Sequence, residues 1–148
     1  ADGSEQTFGR LRRLDVGQNG LGVEGTGNLA GAFAVCTSLT ALNLFGNNVQ
    51  DQGVELLAKV LLTLSHLSSL SLGCNGVTDV GVKSFCATLP ECCSLADLSL
   101  RSNKIGETSV GSLEAVLGLC QILKLDMGGN PFKPKIIIVG RRWASKCK

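Results

Sequence analysis

Tyrosine is absent from this 148-residue chain, and histidine, tryptophan and methionine occur once each. Aromatics make up 4% of residues against 44% hydrophobic, so the interior must be built mainly from aliphatic side chains. No apolar run approaches the roughly 20 residues of a membrane span; the best, Leu56 to Leu64, is broken by Lys59. The first ten residues, ADGSEQTFGR, lack the apolar stretch of a secretory signal, and no N-x-S/T sequon occurs. His66 is the only histidine, and no serine stands in a G-x-S-x-G context. The glycines never read G-x-x-x-x-G-K-[ST], and no cysteine pair has C-x₂-C zinc spacing. Catalysis, a cofactor and a metal are therefore not expected, and His66 reads as a turn residue ahead of a strand.

Net charge is +2, too small to imply a polyanionic partner by itself. Its distribution is uneven. Residues 133–148 hold six of the fourteen Lys/Arg and no acid, whereas residues 1–132 hold eight against twelve acids, a net of −4. Nucleic acid is not expected as the main partner, although anion binding by the basic tail is one alternative.

One pattern is present in abundance. LTALNLFGNNV, residues 39–49, reads LxxLxLxxNxΦ, with Leu39, Leu42, Leu44, Asn47 and Val49. It recurs at Leu11, Leu14, Val16, Asn19, Leu21, at Leu67, Leu70, Leu72, Asn75, Val77, and at Leu95, Leu98, Leu100, Asn103, Ile105. The last copy is Ile122, Leu125, Met127, Asn130, Phe132. The asparagines are spaced by 28, 28, 28 and 27 residues, so the chain is a repeat array.

Over about residues 8–132 this resembles the leucine-rich repeat family, in its ribonuclease-inhibitor-like class. The resemblance implies an α/β solenoid of about five repeats, with a parallel sheet on the concave face and helices on the convex face. The same solenoid serves inhibitors, GTPase activators, actin-regulating scaffolds and immune sensors, so fold does not decide function. The domain reading is a lead or cap at 1–10, the solenoid at 11–132, and a basic tail at 133–148. Ala1 at the start, with the only methionine at Met127, suggests a chain processed or trimmed from a longer array. Ile136 to Val139 are expected to lie against the last repeat as a cap, or to serve as a docking strand.

Within each repeat, residues 13–17, 41–45, 69–73, 97–101 and 124–128 alternate in and out as a strand requires. Helices are expected at 24–35, 52–63, 80–91 and 108–119. Asp51, Asp79 and Glu107 stand near helix starts, where an acid caps the end or favours the dipole. Gly25, Gly53 and Gly81, with Ser109 in the fourth copy, fit a close approach between helices. Gly25, Gly27 and Gly31 make the first helix the weakest, at ~1 kcal/mol for each interior glycine. The asparagine column is expected to satisfy backbone groups where the chain leaves the sheet.

Seven cysteines could suggest a disulfide framework, but Cys36, Cys92 and Cys120 share a slot with Leu64, which is a core position. They are expected to be buried and unbridged, consistent with a cytoplasmic or nuclear setting. Cys74, in a turn, is the most accessible candidate.

Strand alternation puts Arg13, Asp15, Asn43, Phe45, Asp97, Arg101, Lys124 and Asp126 on the concave face, and these are the candidate protein-binding residues. Phe45 and Arg101 are the expected anchors, since aromatics and arginine are enriched at hot spots. Between them Ser69, Ser71 and Gly73 suggest a shallow trough ~10 Å wide. A solvated face with one stray aromatic is the bland alternative. The expected function is a non-catalytic module binding a protein partner, with no small-molecule substrate and no membrane span. Ran GTPase activators share this repeat class, which implies an alternative through Arg101, Asn103 and Lys104 on the loop edge. The acidic tail of such activators is absent.

Overall fold

The computed structural model describes residues 9–131. Phe8, Phe132, the basic tail and the expected cap at 136–139 lie outside them. Five strands, β1 (Arg13–Asp15), β2 (Ala41–Asn43), β3 (Ser69–Ser71), β4 (Asp97–Ser99) and β5 (Lys124–Asp126), form one parallel sheet in sequence order. Leu14, Leu42, Leu70, Leu98 and Leu125 stand in register across it. Each strand covers only the first three of the five alternating residues. Backbone bonding nevertheless continues past the strand ends, as in Leu44 N–H to Ser71 O at 2.9 Å and Gly46 N–H to Gly73 O at 2.9 Å.

Between strands run α1 (Gly22–Phe33), α2 (Gln50–Leu61), α3 (Asp79–Cys86) and α4 (Val110–Leu117). Strands pack ~4.8 Å apart and helices ~8–10 Å apart, so one of each per repeat curves the stack with the sheet inside. Leu42, Leu44, Leu70, Leu72, Leu98 and Leu100 from the sheet meet Phe33, Leu57, Leu61, Phe85, Leu89, Leu113 and Leu117 from the helical side in one continuous core. The first repeat is the exception: Leu11, Leu14 and Val16 are only partly buried, because they form the end of the described stack.

The asparagines do what the spacing implies. Asn47 and Asn75 are 0% exposed and Asn103 is 6% exposed. Asn75 Oδ1 accepts from Asn47 N–H at 2.8 Å and Val49 N–H at 3.2 Å, while its Nδ2 donates to Leu44 O at 2.9 Å and Gly73 O at 3.1 Å. Asn103 repeats the pattern toward Asn75 and Val77, and Asn47 toward Asn19 and Leu21. Each amide thus serves backbone groups of the repeat before it. Asn19, with no earlier repeat among the described residues, is exposed and bonds its own turn at Val16 O and Gly17 O.

All four helices depart from their expected bounds. The first two helices begin two residues early, at Gly22 and Gln50, both in the left-handed region at φ 64° and 57°. The third begins at Asp79 beneath an extended N-cap, Thr78, and ends at Cys86; a separate 3₁₀ turn, Leu89–Glu91, contains Pro90, which has no N–H to continue a helix. The fourth is preceded by a 3₁₀ turn at Glu107–Ser109. The starts of α3 and α4 are set by the acid of the preceding repeat. Asp51 accepts from Thr78 N–H at 2.8 Å, Thr78 Oγ1 at 2.6 Å and Gly81 N–H at 3.0 Å. Asp79 does the same for Gly106 N–H at 2.9 Å, Ser109 Oγ at 2.5 Å and Thr108 Oγ1. Position 23, one period before Asp51, is Val23, so α2 has no such acceptor and turns in through a left-handed residue. These acids therefore stand in the first turn of their own helix, as expected, and in addition cap the next one.

The glycine slot is tight, but only Gly81 meets the preceding repeat closely; Gly53 is crowded chiefly by Val49 and Gly25 by Leu21, each of its own repeat. A Cβ on Gly81 would sit 2.5 Å from Asp51 Oδ1, and one on Gly53 would sit 2.6 Å from Val49 Cγ1.

Candidate protein-binding face

The register sorts the concave side chains into rows. The first row is Arg13, Ala41, Ser69, Asp97 and Lys124; the second is Asp15, Asn43, Ser71, Ser99 and Asp126. Two residues further along lie Gly17, Phe45, Gly73, Arg101 and Gly128, a row in which glycine alternates with a large side chain.

Much of the second row is occupied with holding turns. Asp15 Oδ1 accepts from Gly17 N–H at 2.9 Å and from Asn43 Nδ2 at 2.9 Å. The Gly17 N–H, then the Asn43 amide, hold its carboxyl below the ordinary aspartate range. Asn43 Oδ1 accepts from Phe45 N–H at 3.0 Å, and Asp126 Oδ1 from Gly128 N–H at 3.0 Å. In the first row Lys124 Nζ meets Asp97 Oδ2 at 3.2 Å, an exposed pair of little energetic weight.

The third row is where the face differs most from its expected form. Gly73 is buried, and a Cβ there would come 2.9 Å from Arg101 Cγ and 3.0 Å from Phe45 Cδ2. Phe45 and Arg101 therefore converge over Gly73 from opposite sides. No ~10 Å trough separates them at this level; the two anchors form one platform with glycine as its floor. Phe45 is half-buried, and Arg101 is exposed with no acidic partner among the described residues. The alternation of inward and outward residues identified both positions, but their lean toward one glycine is a property of neighbouring repeats in contact.

The loop edge gives a different result. A groove of about 590 Å³ there is lined by Asn48, Gln50, Gln52, Thr78, Val80 and Lys104, among others. Of the three residues implied by likeness to Ran GTPase activators, Arg101 and Lys104 are exposed but Asn103 is buried. Its amide bonds Leu72 O, Leu100 O, Asn75 N–H and Val77 N–H, leaving no group to orient a water or a phosphate.

His66 Nδ1 lies 3.1 Å from Thr37 O, bracing one return loop on another, as a turn residue would. Cys36 and Cys120 are buried, each thiol donating to a helical carbonyl four residues back. Cys92, expected to be buried, is only half-buried. It follows the Pro90 turn and lines a cavity of about 110 Å³ with Leu61, Leu64 and Leu95. Burial pushes the Cys86 and Cys92 thiols up to about 11. No group of three or more His, Cys, Asp or Glu among the described residues is placed to hold a metal ion. Nor, among these residues, is any helix long and apolar enough to cross a membrane.

A family model described as Leucine Rich repeat matches residues 35–58 and 63–86, the second and third copies of the motif. Among solved structures, actin-binding site 2 of leiomodin-1 aligns at a TM-score of 0.75 and 17% identity, covering 89% of this chain and 77% of that one. Internalin C2 from Listeria monocytogenes str. 4b F2365 aligns at 16% identity over 88% of this chain and 67% of its own, with a TM-score of 0.39. No curated protein matches the chain.

Proposed function

From the premise that this chain is a leucine-rich repeat protein, we propose that it is a non-catalytic interaction module whose concave face binds a protein partner, with Phe45 and Arg101 as anchors. The observation that carries this reading is the platform over Gly73. A half-buried aromatic and an uncommitted guanidinium share a glycine floor at the middle of a five-stranded sheet. That combination matches the chemistry of interface hot spots, where aromatic and arginine side chains dominate. The leiomodin-1 neighbour is named as an actin-binding site, so the same fold carries protein recognition there; at 17% identity the likeness extends to fold and not to partner. The 28-residue period and the helix in each of the first four repeats support the ribonuclease-inhibitor-like class.

A reducing compartment, cytoplasmic or nuclear, is part of the same proposal. The slot shared by Cys36, Leu64, Cys92 and Cys120 uses thiols as small apolar side chains, and the raised Cys92 thiol is a poor nucleophile for disulfide exchange.

The test is an affinity capture run in parallel with wild type, the Phe45→Ala/Arg101→Ala double variant, and Lys59→Ala on the convex side. A protein retained by wild type and Lys59→Ala but lost by the double variant supports the concave face. Equal retention by all three moves the working surface elsewhere.

A further inference from the structure

The charges of the concave face divide into those already engaged and those left over. Every carboxylate on it has an internal partner: Asp15 holds Gly17 N–H and Asn43, Asp97 holds Lys124, and Asp126 holds Gly128 N–H. Two of its three cations do not. The guanidinium groups of Arg13 and Arg101 make no hydrogen bond or ion pair among the described residues. Arg10 and Arg12, exposed beside β1, likewise have no carboxylate partner there. A formal count over the concave residues is balanced, three positive against three negative, and hides this asymmetry. Each carboxylate keeps one oxygen unbonded among the described residues, but a basic group reaching it would share that carboxylate with the amide or ammonium donors already there. An acidic group would meet guanidinium forks that are open to bidentate pairing.

Resting on the concave-face reading above, we propose that the partner presents an extended protein segment with two acidic residues flanking an apolar one. Arg13 and Arg101 receive the two carboxylates, and Phe45, between them in strand order, receives the apolar side chain. The geometry sets the spacing. Arg13 is in register with Asp97 on the fourth strand and Arg101 lies four residues beyond it, so three strand intervals of ~4.8 Å and four residues of ~3.3 Å put them about 20 Å apart. An extended chain advances ~3.3 Å per residue, so the two acids stand about six residues apart. An even spacing puts both acids on one side of the segment, together with an apolar residue two or four positions along between them.

The full chain, panned against a random peptide library, tests this directly. Selected peptides are expected to be rich in Asp and Glu at a separation of about six, with an apolar residue between them. Arg13→Glu and Arg101→Glu should each weaken those peptides about tenfold or more, and added salt should weaken them too. Phe45→Ala should weaken them with the salt dependence unchanged. Peptides that depend on Phe45 but carry no acidic excess would overturn the acidic-segment inference and leave the concave-face reading standing. Peptides indifferent to Phe45, Arg13 and Arg101, or no selection at all, would overturn both. An oligonucleotide bound with the same arginine dependence would overturn the protein-segment inference and reassign the face to nucleic acid. Self-association of wild type that Arg101→Glu abolishes would overturn it in favour of a second copy of the chain.

Discussion

At the scale of single residues, the asparagine column makes bonds that no apolar side chain can replace. Removing the Asn75 amide would strand Asn47 N–H and Val49 N–H in a dry interior and leave Leu44 O with Asn47 Nδ2 alone. Each buried group left without a partner costs ~1–3 kcal/mol, so Asn75→Leu should cost about 2–6 kcal/mol, a large share of a domain's stability of ~5–15 kcal/mol. Urea denaturation measures it, and a loss below about 1 kcal/mol would mean that water replaces the amide. The residue before each asparagine carries this geometry as a left-handed backbone: Gln18, Gly46, Cys74, Ser102 and Gly129 all have φ between 54° and 75°. Glycine at 46 and 129 enters this region at no steric cost. Cys74 was legible only as an accessible thiol, because its side chain gives no sign of a left-handed backbone.

The acids that bridge repeats also belong to this scale. Asp79 accepts from Ser109 and Thr108 first, then from Gly106 N–H, and these bonds hold its carboxyl below the ordinary value of 3.8. A depressed carboxylate contributes stability above its unfolded pKa and loses it as pH falls through the folded value. Wild type should therefore lose melting temperature as pH drops below about 4, beyond what Asp79→Asn loses over the same range. Parallel pH profiles for the two proteins would show the bond to be energetically idle.

At the scale of elements, the helices differ in quality for reasons that can be assigned to single atoms. α1 contains Gly31, exposed, with nothing within 4 Å of where a Cβ would stand. Gly31→Ala should stabilise the protein by about 0.5–1 kcal/mol, the helix-propensity difference with no steric clash set against it. Gly81 looks alike in sequence and is the opposite case. An added Cβ meets Asp51 Oδ1 at 2.5 Å and Val77 Cγ1 at 2.9 Å, so Gly81→Ala should destabilise by about 1–3 kcal/mol. Thermal melts of the two variants should move in opposite directions; a shift of the same sign in both would contradict the close approach at Gly81.

At the scale of the whole molecule, each repeat buries its surface against neighbours, so stability is a chain of similar interfaces and the concave side chains lie outside it. Phe45→Ala and Arg101→Ala should each weaken partner binding by over ~1 kcal/mol. Melting temperature should change little, because neither side chain belongs to the core. Titration calorimetry alongside a melt separates the two effects. A large drop in melting temperature would recast Phe45 as a structural cover for Gly73.

Everything governed by the repeat period was legible in the linear chain. Leucines at spacings of three and two set which residues face inward on five parallel strands, and the asparagine position implied a buried column, because identical neighbours stack in identical register. Packing between repeats decided what the period cannot express, namely the direction in which a side chain leaves its own repeat. Asp51 and Asp79 were visible as helix-start acids, yet they cap the following helix 27 to 30 residues away. Phe45 and Arg101 were visible as concave residues, yet their convergence over Gly73 depends on a missing Cβ between them. Cys92 shares its slot with Leu64 but lies at the edge of a cavity, because the proline turn before it shortens α3. In each case the linear pattern names the position, and the contact between adjacent repeats selects which neighbour that position serves.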